Sequence, residues 1–274
     1  MKFSVVIPTC RRPSLLGRCL RALPLGGEII VSDDSPDEVT RELVARDFPH
    51  VRWLPGPRRG PAANRNHGAT AATGEWIAFI DDDCEPQAGW IAAFAAAATD
   101  ADVLEGCTRA PGAIDSPFEE HVENLHGGVL WSCNLALRRE LFGKLGGFDP
   151  DFNEAAGEDM EFAWRLQHAG VRIRFVADAV VHHPPRSIGL RGLWKRVFMI
   201  RWMALYRAKT GQLRSLPGTA LQECADLLRT TSHLLTRFDA TRWRRRTFHV
   251  VQRWLTFPVV LPYILYWTAR FRRS

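Results

Sequence analysis

Residues 76–83 read Trp-Ile-Ala-Phe-Ile-Asp-Asp-Asp. Five apolar residues without a polar interruption have the length and composition of a strand buried on both faces. Three carboxylates follow with no turn residue between. Two earlier stretches repeat the theme. Phe3–Pro8 (F-S-V-V-I-P) is a short β-branched run, and Glu28–Ser32 is a second run that ends at Asp33-Asp34. Between them Pro13–Leu23 carries Leu15, Leu16, Cys19, Leu20 and Leu23 at helical spacing, with Pro13 near the start where its missing N–H is tolerated. Asp37–Asp47 is a second helix with Val39, Leu43 and Val44 on one face. Val51–Leu54 is a third strand, and Gly60–Thr73 is a small-residue helix. Strands alternating with helices at this pitch predict an α/β fold with a mostly parallel sheet. Ligands bind such sheets beyond the carboxyl ends of the strands, so the pattern gathers five aspartates at one edge.

Downstream, Trp90–Ala98 reads as a helix, Ala101–Gly106 as a strand, Ala110–His126 as a loop and Leu130–Leu137 as a strand. Arg139–Leu145 is a helix ending at Gly146-Gly147, and Glu158–Ala169 is an amphipathic helix stopped by Gly170. Val171–Val176 and Ala179–Val181 are strand-like and lead to His182-His183-Pro184-Pro185. The composition changes at residue 186. Residues 186–274 carry a formal charge of +15, whereas residues 1–185 carry −9. The chain thus reads as an acidic α/β domain over 1–185 and a basic, Trp-rich helical tail over 186–274.

At 274 residues, 46% hydrophobic and 24% charged, the chain is globular in composition, which excludes wholesale disorder and collagen-like structure. No run of 18 uninterrupted apolar residues occurs, which excludes a polytopic membrane protein. The N-terminus reaches Pro8 too soon for a signal peptide. Six cysteines without a C-x-x-C pair predict free thiols in a reducing compartment and no zinc site.

Adjacent aspartates after a buried strand repel one another, so Asp81-Asp82-Asp83 is either a solvated turn or a site for a hard divalent cation such as Mg²⁺ or Mn²⁺. No phosphate loop of the G-x-x-x-x-G-K-[ST] or G-x-G-x-x-G kind is present, which favours the cation. Glu158-Asp159 has two readings. Acids at a helix start complement the macrodipole. A carboxylate after a glycine and a long loop can also serve as a general base. His182 is a candidate ligand that Mn²⁺ accepts.

These elements, in this order, resemble the inverting family 2 glycosyltransferases. The resemblance rests on V-V-I-P-T at Val5–Thr9, V-S-D-D-S at Val31–Ser35 and G-P-A-A-N-R-N-H-G at Gly60–Gly68. It continues through W-I-A-F-I-D-D-D at Trp76–Asp83, G-G-F-D at Gly146–Asp149 and G-E-D-M-E at Gly157–Glu161. It covers about residues 1–185 and implies a GT-A fold, the sheet type of nucleotide-diphospho-sugar transferases, with residues 186–274 as an appendage. It further implies that Pro8, Thr9 and Asp34 meet the donor nucleoside, with Asp34 on the base. Arg65 would approach the nucleotide, and Asp82 would meet the ribose or the metal shell. Asp83 and His182 would hold Mn²⁺ or Mg²⁺, Arg186 would touch the diphosphate, and Asp159 would deprotonate the acceptor. The implied partners are a nucleotide-diphosphate sugar and an acceptor saccharide or lipid-linked saccharide, as in envelope polysaccharide or glycolipid synthesis. The usual aspartate-glycine-serine after the second strand reads Asp34-Ser35-Pro36, so the base-binding turn is altered.

A nucleotidyltransferase or sugar-nucleotide synthase would share the frame, but it needs a glycine-rich loop after the first strand, and Thr9-Cys10-Arg11-Arg12-Pro13 has no glycine. Nucleic acid is not an expected partner, because the acidic body repels phosphate backbones and the tail carries no finger or helix-turn-helix signature. In the tail, Ile188–Lys209 places Leu190, Leu193, Trp194, Val197, Phe198, Trp202 and Leu205 at mostly helical spacing among basic residues. Trp254–Ala269 has no charge, is flanked by Arg253 and Arg270, and is interrupted by Pro258 and Pro262. Basic, aromatic segments of this kind favour an anionic membrane interface, here the cytoplasmic face of the cell membrane, over a spanning helix. The alternative is packing on the catalytic domain or on a second subunit, as in a homo-oligomer.

Overall fold

In the computed structural model the protein is described at residues 1–112, 118–187, 189–236 and 243–272. These fall into two compact units, one of Met1–Pro111 with Val122–Pro184, the other of Gly112–His121 with Pro185–Ser274.

The first unit is built on an eight-stranded sheet. Its strands are β1 (Phe3–Thr9), β2 (Glu28–Asp33), β3 (Arg52–Pro55), β4 (Trp76–Ile80), β5 (Glu85–Pro86), β6 (Val103–Arg109), β8 (Asn134–Arg138) and β9 (Ile173–His182), in the order β3-β2-β1-β4-β8-β6-β9-β5; β7 (Glu119–Glu120) belongs to the second unit. Strands β3, β2, β1 and β4 are mutually parallel, β8 runs antiparallel to β4 and β6, β6 and β9 are parallel, and β5 closes the edge antiparallel. The helices are α1 (Pro13–Ala22), α2 (Val39–Asp47), α3 (Pro61–Thr70), α4 (Trp90–Ala97), α5 (Arg139–Lys144) and α6 (Glu158–His168).

Apolar runs without alternation require cover on both faces. On one face Val5, Ile7, Val31, Trp76, Ala78 and Ile80 pack with Leu16, Leu20, Val44 and Phe94. On the other, Val6, Ile30, Ile77 and Phe79 pack with Ala62, Ala69, Phe142, Phe148 and Phe162. The two runs read as separate strands over 171–181 form the single strand β9, with a register shift opposite Gly106/Cys107. Two-residue strands such as β5 carry no period and were not anticipated.

A buried acid secures the loop that enters β8. Glu105, 2% exposed on β6, accepts hydrogen bonds at Oε1 from Asn124 Nδ2 (2.8 Å), Val129 N (2.9 Å) and Leu130 N (2.6 Å), and at Oε2 from Gly128 N (2.6 Å).

The second unit pairs β7 with β10 (Arg186–Ser187) and contains α7 (Gly189–Lys209), α8 (Leu216–Thr236) and α9 (Trp243–Phe271). Arg207 of α7 bonds Glu223 of α8 (3.2 Å), Trp254 Nε1 of α9 donates to Thr231 of α8 (3.0 Å), and Phe198 meets Tyr263 edge-on. Ile188 and the side chains of Leu190, Arg191, Leu193 and Arg196 lie outside the described residues. Helix α9 runs on through Pro258 and Pro262. Among the described residues no helix is long and apolar enough to cross a membrane.

Glu105→Ala would orphan three backbone N–H groups and the Asn124 amide, and should cost on the order of 3 kcal/mol in urea unfolding. An unchanged denaturation midpoint would remove Glu105 from the loop's support.

Candidate active site

Strand ends β1, β2 and β4, the start of α6 and the end of β9 bring the polar groups together. Thr9 Oγ1 donates to Asp82 Oδ2 at 2.7 Å. Pro8 is buried within β1 beside Ser32. Asn64 Nδ2 ties the two strand ends, donating to Thr9 O (3.2 Å) and Ser32 O (3.0 Å). Asp34 follows β2, and its Oδ1 accepts from Arg58 N at 2.7 Å. Burial raises its pKa, against the backbone N–H groups of Arg58 and Gly60. Gly60 has φ +92°, and a Cβ there would collide with the backbone of Asn153, so only glycine seats this loop.

Arg65 projects from α3 and is 5% exposed. Its Nη2 lies 2.8 Å from Asp81 Oδ1 and its Nη1 3.1 Å from Glu158 Oε1. Burial alone would lower its pKa; Asp81, Asp159 and Glu158 more than reverse this and hold it charged. Gly157 (φ +91°) precedes α6 and turns the chain so that Glu158 and Asp159 open the helix. Burial and the Asp159 charge push the Glu158 carboxyl up to about 7, against Arg65. Asp159 is raised by burial and by Asp81, against Arg65 and Ser132. Its Oδ1 is buried and makes no hydrogen bond.

On the other side of the cluster Arg12 Nη2 lies 3.0 Å from Asp82 Oδ1, and Nη1 3.0 Å from Asp83 Oδ2. Burial pushes the Asp82 carboxyl up to about 7, against Arg12 and Thr9. The remaining Asp83 oxygen, Oδ1, faces His183 Nε2 at 3.6 Å. The His183 Nδ1–H must donate to the Pro184 carbonyl (2.9 Å), since a carbonyl only accepts. Nε2 is thus the ring nitrogen turned toward Asp83 Oδ1, which Cys84 Sγ also approaches (4.0 Å). A carboxylate with an imidazole suits Mn²⁺. Asp83, Cys84 and His183 offer ligand atoms within 4.8 Å of one another. Burial holds the Cys84 thiol well above its ordinary pKa, so sulfur is the weakest donor of the three.

The structure separates the two histidines of this strand end. Consecutive residues at a strand end point to opposite sides; His182 turns to Gln87 Nε2 (2.7 Å) and His183 turns to Asp83. Arg65 is engaged by Asp81 and Glu158. Arg186 lies on β10 in the second unit. Sequence reasoning missed Arg12, although it stands next to the first strand in a chain whose acids need cations.

Residues 4–150 match the family described as Glycosyl transferase family 2, and residues 119–271 match Glycosyl transferase family group 2. The chain belongs to glycosyl transferase family 2. It is 28% identical over 204 residues to a pre-mycofactocin glycosyltransferase of Mycobacterium tuberculosis, covering 67% of this chain and 43% of that one. It is 33% identical over 97 residues to the GalNAc(5)-diNAcBac-PP-undecaprenol beta-1,3-glucosyltransferase of Campylobacter jejuni, covering 32% and 31%. The chain thus spans less than half the length of these relatives. Among solved structures, a mannosyltransferase from Pyrobaculum calidifontis in complex with GDP-Man and Mn²⁺ is similar, with TM-score 0.59 and 19% identity over 98% of this chain and 86% of that one. The fold of this family 2 member is the GT-A type.

The raised acids fix a pH response. Glu158 binds its proton more tightly folded than unfolded, so its contribution is full below the ordinary value of 4.5 and is lost as pH rises through about 7. The melting temperature of the wild type relative to Glu158→Gln should therefore fall between about pH 5 and about pH 8. A flat or rising difference would contradict the assignment.

Proposed function

We propose that this family 2 member transfers a glycosyl unit from a nucleotide-diphosphate sugar to an acceptor hydroxyl with inversion, residues 1–185 forming the catalytic domain. The observation that carries the reading is the approach of Asp83 Oδ1 and His183 Nε2 to 3.6 Å at the strand ends, together with a buried Asp159 Oδ1 at the start of α6 that makes no hydrogen bond. Thr9, Pro8 and the Asp34 wall would receive the nucleoside. Asp83 and His183 would hold Mn²⁺ or Mg²⁺, which supplies Lewis-acid stabilisation of charge on a departing diphosphate. Asp82, kept in place by Thr9 and Arg12, would orient Asp83. Arg65 would act at one remove, keeping Asp81 and Glu158 neutralised beneath the nucleotide.

In the reaction the acceptor oxygen forms a bond to the anomeric carbon from the face opposite the diphosphate. The bond from that carbon to the diphosphate oxygen breaks, and the electron pair leaves with the nucleoside diphosphate. Asp159 takes the acceptor proton, for which a raised pKa suits it. The synthase alternative differs in product, since activation releases pyrophosphate.

An acceptor carried on lipid fits the second unit. Leu255, Val259, Pro262 and Tyr266 are exposed along one face of α9, between Arg253 and Arg270. An apolar stripe between cations suits an anionic membrane surface, and the Campylobacter relative's name specifies an undecaprenol-linked saccharide. The same stripe seated on a second copy is the alternative.

Two outcomes test these readings. With a panel of nucleotide sugars and Mn²⁺, the wild type should release nucleoside diphosphate. Asp159→Asn should lose ~10²–10⁴-fold in transfer while retaining nucleotide binding. Release of pyrophosphate, or an active Asp159→Asn, would overturn the assignment. For the membrane, the full chain should float with anionic but not neutral liposomes, and Leu255→Glu with Val259→Glu should weaken flotation. If the wild type stays at the bottom with both lipids, the stripe belongs to a protein interface.

A further inference from the structure

Arg12 stands between the end of β1 and the start of α1. Its side chain is 42% exposed, while those of Asp82 and Asp83 are 0% and 4% exposed. The guanidinium bridges the two carboxylates, taking Asp82 Oδ1 and Asp83 Oδ2, each at 3.0 Å. Thr9 holds Asp82 Oδ2. Asp83 Oδ1 is thereby turned toward His183 Nε2. Both terminal nitrogens of Arg12 are committed to the acids, on a side chain that as a whole is partly exposed.

The guanidinium lies 3.0 Å from one Asp83 oxygen, so a divalent cation on the other oxygen and His183 would sit beside a fixed positive charge, in a poorly solvated place where like charges repel strongly. A diphosphate supplies two or more negative charges and offsets that repulsion. A guanidinium is permanently charged and presents a planar fork that matches phosphoryl oxygens.

We propose that Arg12 is a charge gate, a residue that makes cation capture at Asp83 and His183 depend on arrival of the donor's diphosphate. The inference rests on the glycosyltransferase reading. Arg12 weakens binding of the bare cation by repulsion, and its partly exposed side chain meets the diphosphate that accompanies the cation in the productive complex. By linkage, the factor by which the diphosphate tightens the cation equals the factor by which the cation tightens the diphosphate, and Arg12 supplies part of it. The gate keeps the acidic cluster from filling with a cation when no donor is present.

The test measures Mn²⁺ binding to the full chain by the electron paramagnetic resonance signal of free Mn²⁺, with and without UDP, GDP, dTDP or CDP, in wild type, Arg12→Gln and Arg12→Lys. Circular dichroism and melting curves establish that each variant is folded. Arg12→Gln should bind Mn²⁺ alone roughly tenfold more tightly than wild type, and the tightening by the diphosphate should shrink by a similar factor. Arg12→Lys keeps the charge and should resemble wild type toward Mn²⁺ alone, which separates charge from packing. If Arg12→Gln binds bare Mn²⁺ no more tightly, while wild type still couples Mn²⁺ to one of the nucleotides, the gate is overturned and the donor site stands. If wild type couples Mn²⁺ to none of them, the donor-site reading fails and the gate fails with it.

Discussion

A guanidinium buried between two acids is the constraint on which the rest of this site depends. Arg65 lies over the Phe148 ring (5.6 Å) and joins α3, β4 and α6 through Asp81 and Glu158. Deleting one partner of such a group strands a charge, which typically costs 3–5 kcal/mol. The helix that carries Arg65 must therefore lie close to the sheet, and its composition follows. Gly68 has no room for a Cβ against Val6, and Ala62 and Ala69 are buried against the same face. The Gly146–Asp149 motif serves the same end from below. Asn66 pairs with both the N–H and the carbonyl of Phe148, while Arg165 caps the carbonyls of Leu145 and Gly147. A motif that reads as part of a catalytic signature thus works here as the platform for a buried cation.

Five acids in one cluster are tolerable because two arginines divide them. Arg65 is buried and bound on both sides, so its partners Asp81 and Glu158 form a fixed layer. Arg12 is half exposed and bound on one edge, so Asp82 and Asp83 form a layer whose counter-charge can change. Asp159 contributes charge to the Arg65 side, yet its Oδ1 makes no hydrogen bond. An acid held raised by burial and left with an open oxygen differs from an acid locked in an ion pair, and that difference distinguishes Asp159 from its neighbour Glu158.

The parallel half of the sheet was legible because each strand there is an uninterrupted apolar run that ends in acids, and each helix has a face of regular period. The edges were not. Strands β5, β7 and β10 are two residues long, and no period can be read from two residues. Strand β9 read as two pieces because Asp178 interrupts its apolar run, and pairing with β6 overrode that break. The histidine pair shows a different limit. Composition puts both rings at the strand end, but which one faces the acids depends on strand parity and on the Pro184 carbonyl that fixes the tautomer of His183. Glu105 carried no signal, because the N–H groups it collects lie more than twenty residues downstream. Arg12 carries no local signal, because its partner Asp83 lies 71 residues away in sequence.

The prolines of α9 bear on what its exposed face can meet. Pro258 has no N–H to offer the carbonyl of Trp254, and Pro262 has none for that of Pro258. Trp254, Pro258 and Pro262, the residues concerned, are all exposed. In hydrocarbon each would cost several kcal/mol, whereas water or headgroups could satisfy them at an interface. The residues around them fit the same depth. Leu255 and Val259 supply apolar area, Trp254 and Tyr266 are amphipathic rings, and Arg253 and Arg270 stand at either end. The membrane-surface role proposed above asks for no burial of these carbonyls, whereas a spanning role would.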